Sequence, residues 1–233
     1  MATNQAIARY YDGMSVFYQW FYSTAGLHYG LWKRGTWTLR QALLNHKGTL
    51  LRALGGVNPD SVILDAGCGL GRTALYFHQL TGATVTGITV SDHQVARARR
   101  LAAARGADQV LAFRNADFVD TPFPDNHFSH ACASESFCHA ADKPAFLREM
   151  YRVLRPGGRL VIADFFLERP EPELDPEQRQ YHERVKAGFV LPGFADRASV
   201  HADAAAAGFH LRRDVDLTRG VRRTAYHIQA RAW

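Results

Sequence analysis

The stretch Asp65-Ala66-Gly67-Cys68-Gly69-Leu70-Gly71 decides the fold of this 233-residue chain. It follows a short apolar run, Ser61–Asp65, that predicts a buried strand, and it leads into a helix-like run, Gly71–Leu80. Glycines at such a turn let the backbone bend sharply and approach a ligand closely. The order differs from the GxGxxG of dinucleotide enzymes, and an acid precedes the first glycine. A carboxylate at a strand end can receive the amino group of an amino-acid moiety.

Strands and helices alternate on the C-terminal side of this turn. Strands are predicted at 83–89, 110–115, 128–133 and 159–166, and helices at 92–104 and 143–153. Two final strands are predicted at 209–218 and 224–233, and their short link favours antiparallel pairing. The predicted fold class is α/β, a Rossmann-like doubly wound sheet of seven strands, mainly parallel with an antiparallel last strand.

The N-terminal side of the turn is unusually aromatic. Residues 7–37 contain ten aromatic side chains, and the spacing of Tyr10, Phe17 and Phe21 is helix-like. We therefore predict a helical N-terminal cap with a lead-in helix over residues 1–55, followed by a core over 56–233. The proline- and acid-rich run that begins at Glu168 predicts a cap insertion at about 168–198.

Composition excludes several classes of protein. The chain is 47% hydrophobic, with no apolar run long enough for a membrane span and no signal peptide pattern, so a cytoplasmic location is expected. Three cysteines without CxxC spacing argue against a disulfide framework or a zinc site, and no metal site is predicted. The net charge of +6 is spread along the chain and is expected to be a solvated surface. The sequence leaves a homodimer open.

Two motifs carry a resemblance to a known family. DAGCGLG at 65–71 resembles the first motif of class I S-adenosylmethionine-dependent methyltransferases, and RVLRPGGRLVIADF at 152–165 resembles their post-motif turn and fifth strand. The resemblance covers about residues 60–166. It implies S-adenosylmethionine as the cofactor, held by the loop residues Asp65, Gly67, Cys68 and Gly69.

Further stretches narrow the resemblance to a subgroup. Residues 87–94, GITVSDHQ, resemble a stretch of cyclopropane-synthase-like, sterol and prenyl-diphosphate C-methyltransferases, which implies cofactor contacts by Thr89 and Gln94. The alternative is that Thr89 merely ends a strand and Gln94 lies on an exposed helix face. The family's adenine site implies roles for Asp117 and Phe118, with Phe118 as plain core the alternative.

The N-terminal cap carries its own resemblance. The run Tyr10-Tyr11-Asp12 resembles the tyrosine-bearing segment that closes over the cofactor in the cyclopropane-synthase-like group, and it implies that Tyr11 contacts the cofactor. Residues 28–32, HYGLW, resemble a second lid stretch of sterol- and tocopherol-methyltransferase-like enzymes.

The loop after the fourth strand is where the methyl acceptor is expected, because ligands in this fold sit beyond the carboxyl ends of the strands. Ser134 is expected to contact the cofactor, and Glu135 and His139 resemble a Glu-x-x-x-His stretch of sterol and related methyltransferases. They are the candidate bases, and Asp164 at the end of the fifth strand is a third candidate. A capping or core role for His139 and a structural role for Glu135 are the alternatives.

These features predict an enzyme that methylates a small, largely apolar metabolite, with carbon slightly preferred as acceptor. O- or N-methylation of a phenol, quinol or alkaloid is the second hypothesis, and a cofactor-binding scaffold without catalysis the third. The chain contains no Pro-Pro pair, as nucleic-acid amino-methyltransferases have at this loop, so nucleic acid is not an expected partner. Cys138 stands where cyclopropane synthases have a glutamate, so lipid cyclopropanation is not expected. Whether a metal assists a diphosphate-bearing substrate stays open.

Overall fold

The structure is a computed structural model that describes residues 4–21 and 28–232, with side chains described for 4–13 and 28–226. The aromatic side chains from Phe17 to Tyr22 lie outside that part. The helices are α1 (Asn4–Phe21), α2 (Leu39–Leu54), α3 (Arg72–Thr81), α4 (Asp92–Ala103), α5 (Lys143–Val153), α6 (Pro176–Phe189), α7 (Arg197–Ala206) and α8 (Thr218–Ala232). The strands are β1 (Val62–Ala66), β2 (Thr84–Thr89), β3 (Leu111–Asn115), β4 (Phe128–Ser134) and β5 (Leu154–Ala163).

The five strands form one parallel sheet in the order β3-β2-β1-β4-β5. The strand order reverses at β1, which lies between β2 and β4. In register, Asp65 lies beside Gly87 of β2 and Cys132 of β4. A doubly wound sheet opens a crevice beyond the carboxyl ends of the strands at this switch point. The predicted Rossmann-like α/β fold is therefore confirmed, and it places the site at the ends of β1 and β4.

The core has two layers because neighbouring residues of a strand face opposite sides of the sheet. Ile63 and Val85 pack with α2, α3 and α4 on one side, whereas Leu64 and Ile88 pack with α5 on the other. Phe146 of α5 is fully buried in the second layer. Burying a side chain of this size contributes about 1.5–3 kcal/mol, so both layers stabilise the sheet that carries the site.

The prediction of seven strands with an antiparallel last strand is wrong for the described residues, which contain five. Phe209 to Leu217 forms no regular element, and 218–232 is helix α8. The alternation in this segment does not produce a buried face, since Leu211 and Val215 are 64% and 48% exposed. A strand pattern without a covered face has no packing energy to hold it in a sheet.

The contacts of the C-terminal segment have the spacing of a helix, not that of a strand. Gly220 and Thr224, one helical turn apart, both face residues 30–32. The Thr224 hydroxyl accepts from Trp32 Nε1 (2.9 Å) and Gly30 N (3.1 Å) and donates to Gly30 O (2.9 Å). The Arg223 guanidinium lies over the Trp32 ring at 4.2 Å. These contacts require the periodicity of a helix, and they fasten α8 to the segment before α2.

Helix α2 begins at Leu39, directly after its N-cap Thr38. The reciprocal bonds between Thr38 and Gln41 form a capping box. The Thr36 hydroxyl accepts from Lys33 N and Asn45 Nδ2, which orders the turn before the helix. Within the described residues, every helix is too short or too polar to cross a bilayer.

Candidate active site

The glycine turn after β1 brings the backbone close to the loop after β4. Gly67 has φ 89°, and a Cβ there would collide with the side chain of Ser136. The amides of Gly67 and Cys68 both donate to Ile88 O at 2.9 Å, which ties the turn to β2. Only glycine fits both the backbone angle and the space. Gly69 also has a positive φ, with open space around it.

Asp65 is the buried charged group of this turn, with a side chain only 2% exposed. Its Oδ1 accepts a weak bond from Cys132 Sγ (3.6 Å), whereas Oδ2 is buried without a partner. Burial raises the pKa of Asp65 to about 6, and the nearby Lys47 ammonium opposes that rise. An unpaired buried carboxylate oxygen costs stability, so its retention fits a function in binding a cation.

Thr89 and Gln94 are joined at the end of β2. The Thr89 hydroxyl donates to Gln94 Oε1 at 2.6 Å, and both side chains are buried. Ser91 caps α4 by accepting from Gln94 N (3.0 Å), and its hydroxyl donates to Asp12 of α1 at 2.5 Å. The alternative of an exposed Gln94 is therefore wrong. The pair forms a polar wall that α1 covers.

Asp117 and Phe118, which follow β3, lie near the N-terminal part of α1 and the cavity beneath it. Asp117 Oδ2 accepts from Asn4 Nδ2 (2.5 Å), and Oδ1 accepts from Val119 N (3.0 Å). Phe118 packs edge-on against Phe146 at 5.2 Å and also lines a cavity. Phe118 is thus part of the core on one side and of a cavity wall on the other.

His139 ends the short 3-10 turn Phe137–His139 and meets α1. Its Nε2 shares a 2.8 Å hydrogen bond with the Tyr11 hydroxyl, and Nδ1 is buried without a partner. Burial, and then the Lys143 ammonium, lower the pKa of His139 to about 4. His139 is therefore neutral at pH 7 and has a ring nitrogen able to accept a proton.

Glu135 follows β4 in a left-handed conformation, with φ 52°. A non-glycine residue in this region is strained, and such strain is often found at functional sites. Glu135 Oε1 accepts from Tyr29 N at 2.7 Å. Burial, and to a lesser extent Asp164, raise the pKa of Glu135 to about 8, although the Tyr29 bond opposes the rise.

Asp164 links the end of β5 to the loop after β4. Its Oδ2 accepts from Cys138 N (3.0 Å) and its Oδ1 from Phe165 N (2.8 Å). Both oxygens therefore hold backbone in place. Burial raises the pKa of Asp164, and the Lys143 ammonium partly offsets this. The arrangement makes Asp164 a positioning residue for the loop.

A cavity of about 50 Å³ beneath α1 brings many of the predicted residues together. The predicted residues in its wall are Tyr11, Gly67, Thr89, Gln94, Phe118 and His139. The predicted residues outside its wall are Asp65, Cys68, Gly69, Asp117, Ser134, Glu135 and Asp164. Ser134 is turned toward α2, where its hydroxyl bonds with His46 Nε2 at 3.0 Å.

Sequence reasoning missed three polar residues of the cavity wall, namely Asn4, Ser91 and Ser136. Ser91 had a signal, because a serine three residues before Gln94 at a strand-to-helix junction is an N-cap pattern. Ser136 donates to Ala66 O at 2.6 Å, a contact between segments distant in sequence. Nothing local in the sequence indicates such a contact.

A family model described as a methyltransferase domain matches residues 64–162. The sterol 24-C-methyltransferase of Pneumocystis carinii is 29% identical over 210 residues, which are 90% of this chain and 55% of that protein. The chain thus spans little more than half the length of the curated relatives it matches.

Two solved structures share the fold over almost the whole chain. The 4+2 cyclase SpnF is 26% identical with a TM-score of 0.84, covering 98% of this chain and 83% of that chain. A geranyl diphosphate C-methyltransferase from Streptomyces coelicolor, solved with Mg²⁺, geranyl diphosphate and S-adenosyl-L-homocysteine, is 23% identical. Its TM-score is 0.83, and the match covers 97% of this chain and 86% of that chain.

The resemblance drawn from the sequence is confirmed. The chain is similar to class I S-adenosylmethionine-dependent methyltransferases, and residues 64–162 carry the match to their domain. In sequence it is similar to sterol 24-C-methyltransferases, and it shares its fold with a geranyl diphosphate C-methyltransferase and a cyclopropane synthase.

The residues present fit S-adenosylmethionine. The unpartnered Oδ2 of Asp65 can accept a hydrogen bond from the primary ammonium of the methionine end. The turn at Gly67 has no room for a side chain, so the backbone itself can approach the cofactor. The Thr89–Gln94 pair provides polar groups for ribose hydroxyls, and Phe118 offers an aromatic surface to a purine. The ammonium, the ribose and the adenine of the cofactor thus each have a counterpart of suitable chemistry.

Proposed function

We propose that this protein transfers a methyl group from S-adenosylmethionine to a small, largely apolar acceptor, with carbon the preferred acceptor atom. The observation that carries the proposal is that one cavity is lined by the glycine turn and by side chains from three other segments. Those side chains belong to Thr89, Gln94, Phe118 and His139. The similarity to sterol and geranyl diphosphate C-methyltransferases supports carbon as the acceptor.

When bound, S-adenosylmethionine supplies an electrophilic methyl group with a neutral thioether as the leaving group. The protein then has to align the acceptor, exclude water and remove a proton. Alignment and water exclusion can supply a large part of the rate. The aromatic rings around the loop after β4, such as Tyr29 against Phe165 at 5.0 Å, provide an apolar, cation-tolerant surface.

In carbon methylation, a π bond of the acceptor forms the new C–C bond, and the positive charge passes to the acceptor. A C–H bond of the acceptor then breaks, and its electron pair restores neutrality. We assign the proton to Glu135. A cation beside this carboxyl favours its charged form, which offsets the burial that raises its pKa to about 8.

In oxygen methylation, His139 is the more suitable base. It is neutral at pH 7, and its Nε2 lies 2.8 Å from the Tyr11 hydroxyl. A hydroxyl of the acceptor could take the place of this phenol. The Tyr11–His139 hydrogen bond is the specific observation that keeps O-methylation as the second candidate.

Mass spectrometry with deuterated-methyl S-adenosylmethionine tests the proposal on a panel of prenyl diphosphates, sterols, phenols and quinols. We expect a labelled product with the methyl on carbon. A labelled methyl on oxygen or nitrogen would favour the second candidate. Rearranged but unmethylated product, or binding without turnover, would contradict methyl transfer. Labelled DNA or RNA at physiological salt would contradict the small-molecule acceptor.

Helix α1 closes the cavity in this account. Three of its side chains, Asn4, Tyr11 and Asp12, hydrogen-bond to Asp117, His139 and Ser91 respectively. A cavity of about 50 Å³ holds only a few water molecules, so we expect α1 to move outward when the cofactor enters. We propose that residues 1–37 act as a lid. The domain boundaries, the cap insertion, a homodimer and a cytoplasmic location remain predictions.

The lid predicts a change in amide exchange. With S-adenosylhomocysteine at about 100 times its Kd, amides of residues 4–21 are expected to exchange about 10- to 100-fold more slowly, because bound ligand opposes opening. Amides of α7, which has no residue in the cavity wall, serve as the control and should be unchanged. Equal protection of α1 with and without ligand would contradict the lid.

A further inference from the structure

Two histidines and a glutamate meet beside the cavity, on three separate segments. His28 precedes α2, His46 lies within α2, and Glu135 follows β4. One potential ligand atom from each residue lies within 4.8 Å of the other two. His28 and His46 are only 7% and 4% exposed, so this group is largely shielded from water.

Each imidazole has one bonded nitrogen and one buried nitrogen without a partner. His28 Nδ1 lies 3.0 Å from Tyr29 O and must donate to it, so the lone pair is on the orphaned Nε2. His46 Nε2 bonds with Ser134 Oγ at 3.0 Å, and its Nδ1 is orphaned. Histidine ligands of metals are typically fixed in this way, with the second ring nitrogen bonded to an oxygen.

Electrostatics keep both rings in the form that binds metals. Burial lowers the pKa of His28 well below 6.5 and the pKa of His46 to about 4, so both are neutral at pH 7. The Lys47 ammonium contributes to both shifts and opposes any cation placed here. A bound cation would in turn favour the charged form of the Glu135 carboxyl, whose pKa burial raises to about 8.

The side chains of His28, His46 and Glu135 would have to move slightly to bind one metal ion. The two rings stack at 4.5 Å with planes 26° apart, so one ring must turn about its χ2 bond to direct both lone pairs at one point. This torsion is soft in histidine. Ligands of one zinc ion at 2.0–2.1 Å are about 3.4 Å apart, so the three atoms also approach one another by roughly an ångström.

We propose that His28, His46 and Glu135 bind a divalent first-row metal ion such as Zn²⁺, Co²⁺ or Ni²⁺. Two imidazoles and a carboxylate favour these ions over Mg²⁺, which prefers oxygen ligands. Three protein ligands leave the remaining positions open to water or an oxygen of a ligand. Bound metal ties the His28 segment to α2 and to the loop after β4.

The test uses the 233-residue chain without a histidine tag, treated with chelator and then dialysed. Titration with Co²⁺ alone is followed by calorimetry and by visible absorption, which needs no methyl acceptor. We expect one equivalent to bind with a Kd in the micromolar range or tighter, with Co²⁺ d–d bands and a rise in Tm. Glu135→Gln and His46→Ala are each expected to weaken binding about tenfold or more, whereas His93→Ala at an exposed site is the control.

The outcomes are separable from methyl transfer because metal binding is measured directly. Glu135→Gln keeps the proposal testable if a histidine variant fails to fold, since it preserves size and alters only charge. Co²⁺ binding weaker than the micromolar range would overturn the proposal. Co²⁺ bands that persist unchanged in Glu135→Gln would also overturn it. Loss of metal binding in an otherwise active enzyme would leave the proposed methyl transfer standing.

Discussion

Glu135→Gln is expected to lower kcat by about 100- to 10,000-fold when the acceptor atom is carbon. The change keeps the shape of the side chain and its hydrogen bond from Tyr29 N, which is 2.7 Å long. It removes the group able to take the proton after the methyl has arrived. Cofactor affinity should stay within about threefold of the wild type, because the proposed role of Glu135 is to take a proton from the acceptor and its hydrogen bond is with Tyr29 N. Steady-state kinetics with the carbon acceptor, together with calorimetry for S-adenosylhomocysteine, measure both quantities.

Two further variants decide what the loss in Glu135→Gln means. His139→Ala should cost as much on an oxygen acceptor and much less on a carbon acceptor, since the neutral imidazole is the base only in the first case. Glu173→Gln, on the exposed 3-10 turn after β5, is the matched control and should leave kcat unchanged. If Glu135→Gln and His139→Ala both keep near-native turnover on the true acceptor, the enzyme works by proximity alone and both assignments are wrong.

Asp65→Ala is expected to weaken the binding of S-adenosylmethionine by about 10- to 150-fold. A charge-assisted hydrogen bond contributes about 1.5–3 kcal/mol, and the orphaned Oδ2 is the atom available to make one. Calorimetry on the folded variant measures the loss, and Asp60→Ala, on the exposed turn before β1, is the control. Unchanged affinity in Asp65→Ala would show that the methionine end of the cofactor lies elsewhere.

The same carboxyl predicts a pH dependence of stability in the ligand-free protein. Its pKa rises from 3.8 when unfolded to about 6 in the fold, so protonation favours the folded state. The contribution is fully present below pH 3.8 and is lost as the pH rises through 6, a loss of about 3 kcal/mol by linkage. Asp65→Asn should remove this loss, so its free energy of unfolding at pH 8 should exceed that of the wild type. Urea unfolding at pH 4 and pH 8 checks it, and equal pH dependence in both proteins would contradict it.

The glycine turn and the strand–helix alternation were predictable because their causes are local. Positive φ values at Gly67 and Gly69 and buried apolar strands leave signals in residue type and spacing. The cofactor contacts of Thr89 and Gln94 were proposed from a motif, and the structure places both side chains at one wall of the cavity. Those contacts themselves await a bound ligand.

The C-terminal segment was mispredicted for a physical reason. Its alternating residues satisfied the period of a strand, but the face they would present is exposed at Leu211 and Val215. The Thr224 contacts that favour α8 join residues 194 positions apart. Tertiary contacts of that range override local propensity, and one sequence contains no record of them.

The His28–His46 pair was equally inaccessible to sequence reasoning. The two residues are 18 positions apart and belong to no ligand-spacing pattern, and their stacking depends on how α2 meets the segment before it. The hydrogen bonds from α1 to Asp117 and Ser91 likewise join distant segments. Burial and unpaired atoms, which only a structure shows, are the signals that identify such groups.

The most direct test of the central claim is a crystal structure of the protein with S-adenosylhomocysteine. The account predicts the adenine beside Phe118, the ribose at Thr89 and Gln94, and the amino group of the homocysteine directed toward Asp65 Oδ2. It also predicts that the sulfur faces the loop that bears Glu135 and His139. A ligand bound away from the carboxyl ends of β1 and β2, or no binding at millimolar concentration, would contradict it.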